Sequence, residues 1–226
     1  VLDGLGAPRP LRGALRALAW PFRWAGHRGD PSLPPLTRAI VAMGPAWIKF
    51  GQILSTRPDV VGQALALQLR LLQDRLPPFP AEAARAAVAR ETGQPVEALF
   101  SEFGEPVAAA SLAQVHRARL RATGEAVAVK VLRPGIERAF RRDIAALRFM
   151  ARTVDRLVPS ARRLRPMEVI AHFEGVVRGE LDLRLEAAAA SEFAGNTGGD
   201  AGFRVPAVHW GASGRRVMTL DWVEGI

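Results

Sequence analysis

The chain of 226 residues has no cysteine. That excludes a disulfide framework, thiolate metal ligation and a cysteine nucleophile. It has no tyrosine, and aromatics make up only 7%. It therefore lacks the ring-studded basic surface on which nucleic-acid bases stack. The four histidines, His27, His116, His172 and His209, are far apart, with none of the paired spacing a zinc site uses. No apolar run reaches 18 residues, so no segment has the length of a spanning helix. No run of like charge reaches five, so there is no basic or acidic tail. Lysine is almost missing: Lys49 and Lys130 are the only two among 31 basic residues.

What is present is ordinary globular composition, 49% hydrophobic and 23% charged, enough to bury a core in one or two domains. The formal net charge of +9 suggests an anionic partner. The excess is spread out, however, sitting mainly in residues 1–50 and 101–150. The preference for arginine over lysine reads as a compositional bias. Together these argue against a nucleic-acid partner.

Residues 1–35 form a basic, Pro-rich segment in which Leu11, Leu15, Leu18 and Phe22 recur at roughly helical spacing. The segment either packs as a short helix broken at Pro21 or lies on a membrane surface. Residues 36–105 read as a helical extension. Within it, residues 36–55 form a helix kinked at Pro45, and residues 60–74 form a second. The stiff Pro77-Pro78-Phe79-Pro80 linker follows, then an Ala-rich helix over 81–92 ended by Gly93.

The pattern changes in residues 106–226. Val107 to Leu120 and Gly124 to Leu132 are two apolar runs that predict a hairpin or meander. Pro134 opens a long helix with Ile136, Phe140, Ile144, Leu147, Ala151 and Val154 on one face. A second long helix is expected from Met167 to Phe193, with Ile170, Phe173, Val177, Leu181, Leu185 and Ala188 on its stripe. Val205 to Trp210 and Arg215 to Val223 predict a last strand pair. The expected class is α+β, a small antiparallel sheet with two inserted long helices behind a helical extension.

Four constellations could carry chemistry. Lys130 ends the apolar strand Ala126-Val127-Ala128-Val129, where an ammonium can hold phosphate oxygens if a carboxylate fixes its rotamer. The plain alternative is a strand-end lysine in water. Ala108-Ala109-Ala110-Ser111 stands where kinases place a Gly-rich phosphate loop. Alanine keeps such a loop slim but restricts positive φ, so on physics alone it is a small-residue turn. Glu180, Asp182 and Glu186 form an acidic cluster. On one continuous helix Asp182 and Glu186 share a face, and Glu180 stands about 160° from Asp182. The plain alternative pairs Glu180 with Arg184 and Arg178 with Asp182. Lys49-Phe50-Gly51-Gln52 puts the other lysine beside a mid-helix glycine, which usually marks a close approach. Gly4-Leu5-Gly6 and Glu102-Phe103-Gly104 are decoys, lacking the third glycine of a dinucleotide loop and the aspartate of a kinase metal motif.

Taken in order, these motifs resemble the UbiB (aarF-type) atypical kinases over about residues 36–226. Lys49-Phe50-Gly51-Gln52 is similar to that family's Lys-x-Gly-Gln signature, and Ala108 to Ser111 to its Ala-rich loop. Val127-Ala128-Val129-Lys130 with Arg133-Pro134-Gly135-Ile136 resembles its lysine strand, and Glu180-Leu181-Asp182 its Glu-x-Asp motif. Leu185-Glu186-Ala187-Ala188 resembles the segment bearing the lysine-pairing glutamate, and Met218 to Gly225 the fifth strand and hinge.

The resemblance implies a protein-kinase-like N-lobe that uses ATP or ADP with Mg²⁺. Lys130 would hold phosphates and pair with Glu186, and Ala108, Ala109, Ala110 and Ser111 would lie over them. Backbone groups of Asp221 and Val223 would meet the adenine. Lys49 and Gln52 would fold across the site, with Lys49 meeting Glu180 and Asp182, so that the place of a protein substrate is filled. The family is viewed as ATPases or small-molecule kinases aiding ubiquinone synthesis. That implies quinone precursors, quinone-biosynthesis proteins or a lipid membrane as partners, at the cytoplasmic face of a bacterial inner membrane. No catalytic-loop aspartate and no Asp-Phe-Gly follow the hinge before Ile226. The lobe is thus expected to be truncated there, with metal ligands beyond residue 226 and no turnover by this chain alone. A non-catalytic, membrane-peripheral scaffold is the competing reading.

Overall fold

The computed structural model describes residues 32–72 and 77–224. The membrane-surface or packed-helix expectation for residues 11–22 lies outside them. Two compact units emerge. One contains the described residues up to 72 together with Ala139–Leu147, and the other residues 77–138 and 148–224.

The first unit contains α1 (Pro35–Met43), α2 (Pro45–Ser55), α3 (Pro58–Val61) and α4 (Gln63–Leu69). The expected kink at Pro45 is a full break. Gly44 adopts φ 119°, a conformation open to glycine, because the residue before proline is barred from continuing the helix. Asp143 reaches this joint: a Cβ at Gly44 would stand 3.2 Å from its Oδ2. Burial pushes the Asp143 carboxyl above the ordinary aspartate range, although Arg142 works against it. The expected helix over 60–74 is the pair α3 and α4, separated at Gly62 with φ 82°.

The second unit opens with α5 (Ala81–Thr92), which stops where Gly93 turns left-handed at φ 71° and its amide donates to the Ala89 carbonyl. A one-turn α6 (Val96–Leu99) leads into the sheet. Strands β1 (Phe100–Ala109), β2 (Ala113–Leu120), β3 (Ala126–Leu132) and β4 (Val217–Asp221) lie in that order, all antiparallel. The run from Val107 to Leu120 is therefore not one strand. It holds the end of β1, a three-residue turn and β2. β1 starts at Phe100 and carries three register shifts and Pro106, which an edge strand tolerates. The last strand pair shrinks to β4 with a single bridge, Val208 to Leu220.

Alternation along β3 separates the two faces. Val127, Val129 and Val131 are fully buried and pack with Ala84, Ala87 and Val88 of α5. Small alanines let that helix lie close, and each buried valine is worth roughly 1.5–3 kcal/mol. Ala128 and Lys130 point to the opposite face, with Lys130 flanked by Val115 and Met218.

Helix α7 (Ile136–Leu157) buries Ile136, Phe140, Ile144, Leu147 and Ala151, as its periodicity predicts. The second long helix departs from expectation. It is α8 (Pro166–Glu180) and α9 (Leu183–Thr197), broken at Leu181-Asp182. The break resets the helical phase. Leu185 is exposed, and the buried positions become Leu183 and Ala187. The loosened backbone is not wasted, because the Leu183 amide donates to the Arg215 carbonyl at the entrance of β4. Among the described residues no helix is long and apolar enough to cross a membrane.

Candidate functional site

Lys130 comes from β3 and Glu186 from the first turn of α9, 56 residues later in the chain. The fold brings them together. Lys130 Nζ donates to Glu186 Oε1 at 2.6 Å and to Oε2 at 2.7 Å. The first turn of a helix is a favourable place for an acidic side chain. Lys130 is 32% exposed and Glu186 49%. A pair so open contributes little to folding, about 1 kcal/mol or less. Its consequence is geometric: a flexible four-carbon stem is held in one rotamer on the open face of the sheet.

Beside it stands the alanine hairpin. None of Ala108 to Ser111 has positive φ; among the described residues Arg165 is the one non-glycine that does. The turn closes on itself, with the Ala110 amide donating to the Ala113 carbonyl at 2.8 Å and Ser111 buried. That amide is therefore committed inside the hairpin. An arginine clamps the turn from below. Arg133 Nε and Nη2 both donate to the Ala110 carbonyl, at 3.1 and 3.0 Å, and Nη2 also reaches the Pro77 carbonyl. The Arg133 amide donates to the Leu112 carbonyl, and its guanidinium lies 5.6 Å from the Phe79 ring centroid. This clamp is absent from the sequence reading, although Arg133-Pro134-Gly135-Ile136 marked its position.

The acidic cluster is not one helical face. Glu180 ends α8, Asp182 is the N-cap of α9, and Glu186 follows one turn later. Asp182 accepts the Arg184 amide at 3.2 Å and both Nε and Nη2 of the Arg184 guanidinium, at 2.9 and 2.6 Å. The Arg184 guanidinium holds the Asp182 carboxyl below the usual aspartate range, against the opposing effect of burial. The pairings Glu180 to Arg184 and Arg178 to Asp182 are replaced: Arg184 turns to Asp182, and Arg178 to Glu174. A helix break explains both changes, because it moves Asp182 out of register with α8. An aspartate just before an apolar helical run is an N-cap signature that could have revealed it.

Lys49 and Gln52 lie on α2 in the first unit, while Glu180 and Asp182 belong to the second. Gln52 Nε2 donates to the Leu72 carbonyl at 2.7 Å. Gly51 is a contact glycine: an added Cβ would stand 2.4 Å from Leu72 Cδ1.

At the end of β4 the Asp221 carboxylate meets His209 Nε2 at 2.9 Å, Arg204 at 3.0 Å and the Ala207 amide at 3.2 Å. Burial alone raises its pKa, but the Ala207 amide, Arg204 and His209 outweigh that and leave it below the ordinary value. The Asp221 amide donates to the Ala207 carbonyl and the Trp222 amide to the Ala126 carbonyl. The residues after β4 are thus strapped on both sides, with Val223 exposed beyond them. His209 and Arg204 are further residues the sequence reading did not single out.

Comparison with known proteins adds the relationship. The model of the ABC1 atypical kinase-like domain matches residues 71–226. A protein named probable protein kinase UbiB from Marinobacter nauticus is 42% identical over 200 residues, covering 88% of this chain and 36% of its own length. Proteins of the same name from Pseudomonas paraeruginosa and Pseudomonas fluorescens are 42% and 41% identical, covering 94% and 100% of this chain and 40% and 43% of theirs. The chain spans about two fifths of the length of these curated relatives. With a kinase-like lysine–glutamate pair on a four-stranded antiparallel sheet, and a family match over most of its length, the chain belongs to the ABC1 family of UbiB-type atypical kinases.

Proposed function

We propose that this chain forms the nucleotide-binding part of a UbiB-type ATPase or atypical kinase that supports ubiquinone synthesis. The observation that carries the reading is the Lys130–Glu186 pair beside the clamped alanine hairpin. The residues present fit an adenine nucleotide. Lys130 offers an ammonium already oriented by a carboxylate, and Val115 and Ala128 offer an apolar surface on the same face of the sheet. When bound, ATP supplies a transferable phosphoryl group. Lys130 holds phosphate oxygens, and the hairpin of Ala108, Ala109, Ala110 and Ser111 covers them. The Asp221 amide is already taken, so adenine contacts fall to the Asp221 carbonyl and the Val223 amide. Lys49 and Gln52 stay in the reading as candidate site residues through the Lys-x-Gly-Gln motif alone, and Glu180 and Asp182 through the Glu-x-Asp motif. No group of three metal-ligating side chains occurs among the described residues. Quinone precursors as substrates, and a place at the cytoplasmic face of a bacterial inner membrane, belong to the same proposal.

Thermal protection tests it. A nucleotide at 100 times its Kd adds about 2.7 kcal/mol of stability to a protein that binds it. For a chain of this size that raises Tm by roughly 5–10 °C. ADP or ATP should give that shift in the unsubstituted protein, and Lys130→Ala should remove most of it. Undiminished protection of the variant would refute the role given to Lys130.

A further inference from the structure

The strand that carries Lys130 and the helix that carries Glu186 are fastened to one dipeptide. Lys130 lies two residues before Leu132, the end of β3, and Glu186 three residues after Leu183, the start of α9. The Leu132 amide donates to the Arg216 carbonyl at 3.0 Å, and the Leu183 amide to the Arg215 carbonyl at 2.8 Å. These are consecutive carbonyls. Peptide units are planar, so the span between the two oxygens depends only on φ and ψ of Arg216. Whatever fixes that residue fixes how far the helix start stands from the strand end.

Side chains do so. Glu137, in the first turn of α7 and 21% exposed, meets Arg215 Nη2 at 3.2 Å and Arg216 Nη2 at 2.5 Å. Neighbouring side chains of an extended strand point to opposite faces, so two that meet one carboxylate require a bend, and the chain bends at both residues. Arg215 Nε also lies 3.9 Å from Oδ2 of Asp182, the N-cap of α9. The Arg215 amide donates to Glu91 Oε1 of α5 at 2.5 Å. Gly214 leaves room for that contact, since a Cβ there would stand 2.6 Å from the same oxygen. Strand β3 and helices α5, α7 and α9 thus all hold the two residues just ahead of β4.

We propose that Arg215, Arg216 and Glu137 are positioning residues for the Lys130–Glu186 pair. Through the pair they set where Lys130 presents its ammonium to nucleotide phosphates, a second step that rests on the nucleotide reading above. The pair is too exposed to keep its own geometry, and the bent dipeptide supplies it. None of the three residues is assigned a contact with the nucleotide.

Having only two lysines makes the test direct. In the 226-residue chain labelled with nitrogen-15 lysine, Lys130→Arg identifies the Lys130 ammonium signal in a nuclear magnetic resonance spectrum. A charge-assisted bond to a carboxylate displaces such a signal and slows exchange of its protons with water. Glu186→Gln should return the signal toward that of a solvated lysine. Glu137→Ala, and separately the half-exposed Arg215→Gln, should move it the same way. Glu174→Ala breaks ion pairs of the same kind, with Arg148 and Arg178, and should leave it in place. ADP affinity by calorimetry should fall about fivefold in Glu137→Ala, part of one charge-assisted contact, and hold in Glu174→Ala. The proposal is overturned if neither Glu137→Ala nor Arg215→Gln moves the signal, or if Glu174→Ala moves it as far. Unchanged ADP affinity in Glu137→Ala overturns the nucleotide step. If Glu186→Gln leaves the signal unmoved, the pair is not made in solution, and this proposal falls together with the nucleotide reading. If the unsubstituted chain binds no ADP, that reading and the nucleotide step fall, and the ammonium signal alone decides the positioning role.

Discussion

The contact between Gly51 and Leu72 can be measured directly. A methyl group at position 51 would meet Leu72 Cδ1 at 2.4 Å, Leu69 Cδ2 at 3.4 Å and Ile40 Cγ2 at 3.8 Å. Carbon atoms rest comfortably at about 3.5–4.0 Å, so Leu72 must retreat by more than about 1 Å. It is 2% exposed and has little room to do so. Overpacking of this kind costs about 1–3 kcal/mol, while replacing glycine by alanine inside a helix returns about 1 kcal/mol. Gly51→Ala should therefore destabilise by roughly 1 kcal/mol. Leu72→Ala alone should cost about 2–5 kcal/mol through lost burial and a cavity. In the double variant the new methyl enters the space that Leu72 leaves, so the clash vanishes, the helix gain remains and part of the cavity is filled. The pair should then cost about 2–3 kcal/mol less than the sum of the singles. Urea unfolding followed by circular dichroism, with all four proteins at one temperature, gives the coupling term. Additivity within about 0.5 kcal/mol would show that the glycine is there for another reason.

Three further outcomes follow from the second unit. His116 is fully buried, with Nδ1 on the Gly104 carbonyl and Nε2 at 2.8 Å from the Gln114 amide nitrogen, and burial lowers its pKa from the ordinary 6.5. A depressed value means that the unfolded chain takes up the proton first. Stability contributed by the neutral ring is complete above about pH 6.5 and falls as pH drops below it, and His116→Gln should flatten that part of the urea-midpoint profile. Arg133→Lys keeps the charge but loses the fork on Ala110 and Pro77; it should cost about 1–2 kcal/mol and speed amide exchange at Ala110 and Ala113. Asp182→Ala removes the cap of α9 and should cost about 1 kcal/mol in thermal unfolding, most of it restored by Asp182→Ser.

How much of this was legible in the sequence depends on how local the cause is. The apolar strand ending at Lys130 was legible, since a short run of small and β-branched residues bounded by turn residues marks a strand by itself. The α7 stripe was equally clear, with one uninterrupted period over Ile136 to Ala151. The break before α9 was not, because Leu181 and Leu185 continue an apolar rhythm that favours one helix. What interrupts it is distant: the Arg215 carbonyl that takes the Leu183 amide, and the Arg184 fork on Asp182. The Lys130–Glu186 pair was expected through family resemblance, not spacing. The Arg133 clamp and the His209–Asp221 strap escaped notice because each joins segments whose proximity only the folded sheet creates.

The joint at Leu181-Asp182 also sets a lever arm. Glu186 lies three residues past the start of α9, about 4.5 Å along its axis, while Thr197 lies about 21 Å away. A 10° swing about the joint, taken as an order-of-magnitude rotation, would carry the far end by nearly 4 Å but Glu186 by less than about 1 Å. The ion pair with Lys130 sits at the fulcrum. Placing Glu186 next to the joint rather than at the far end of α9 leaves the pair with Lys130 the part of the helix least sensitive to its tilt.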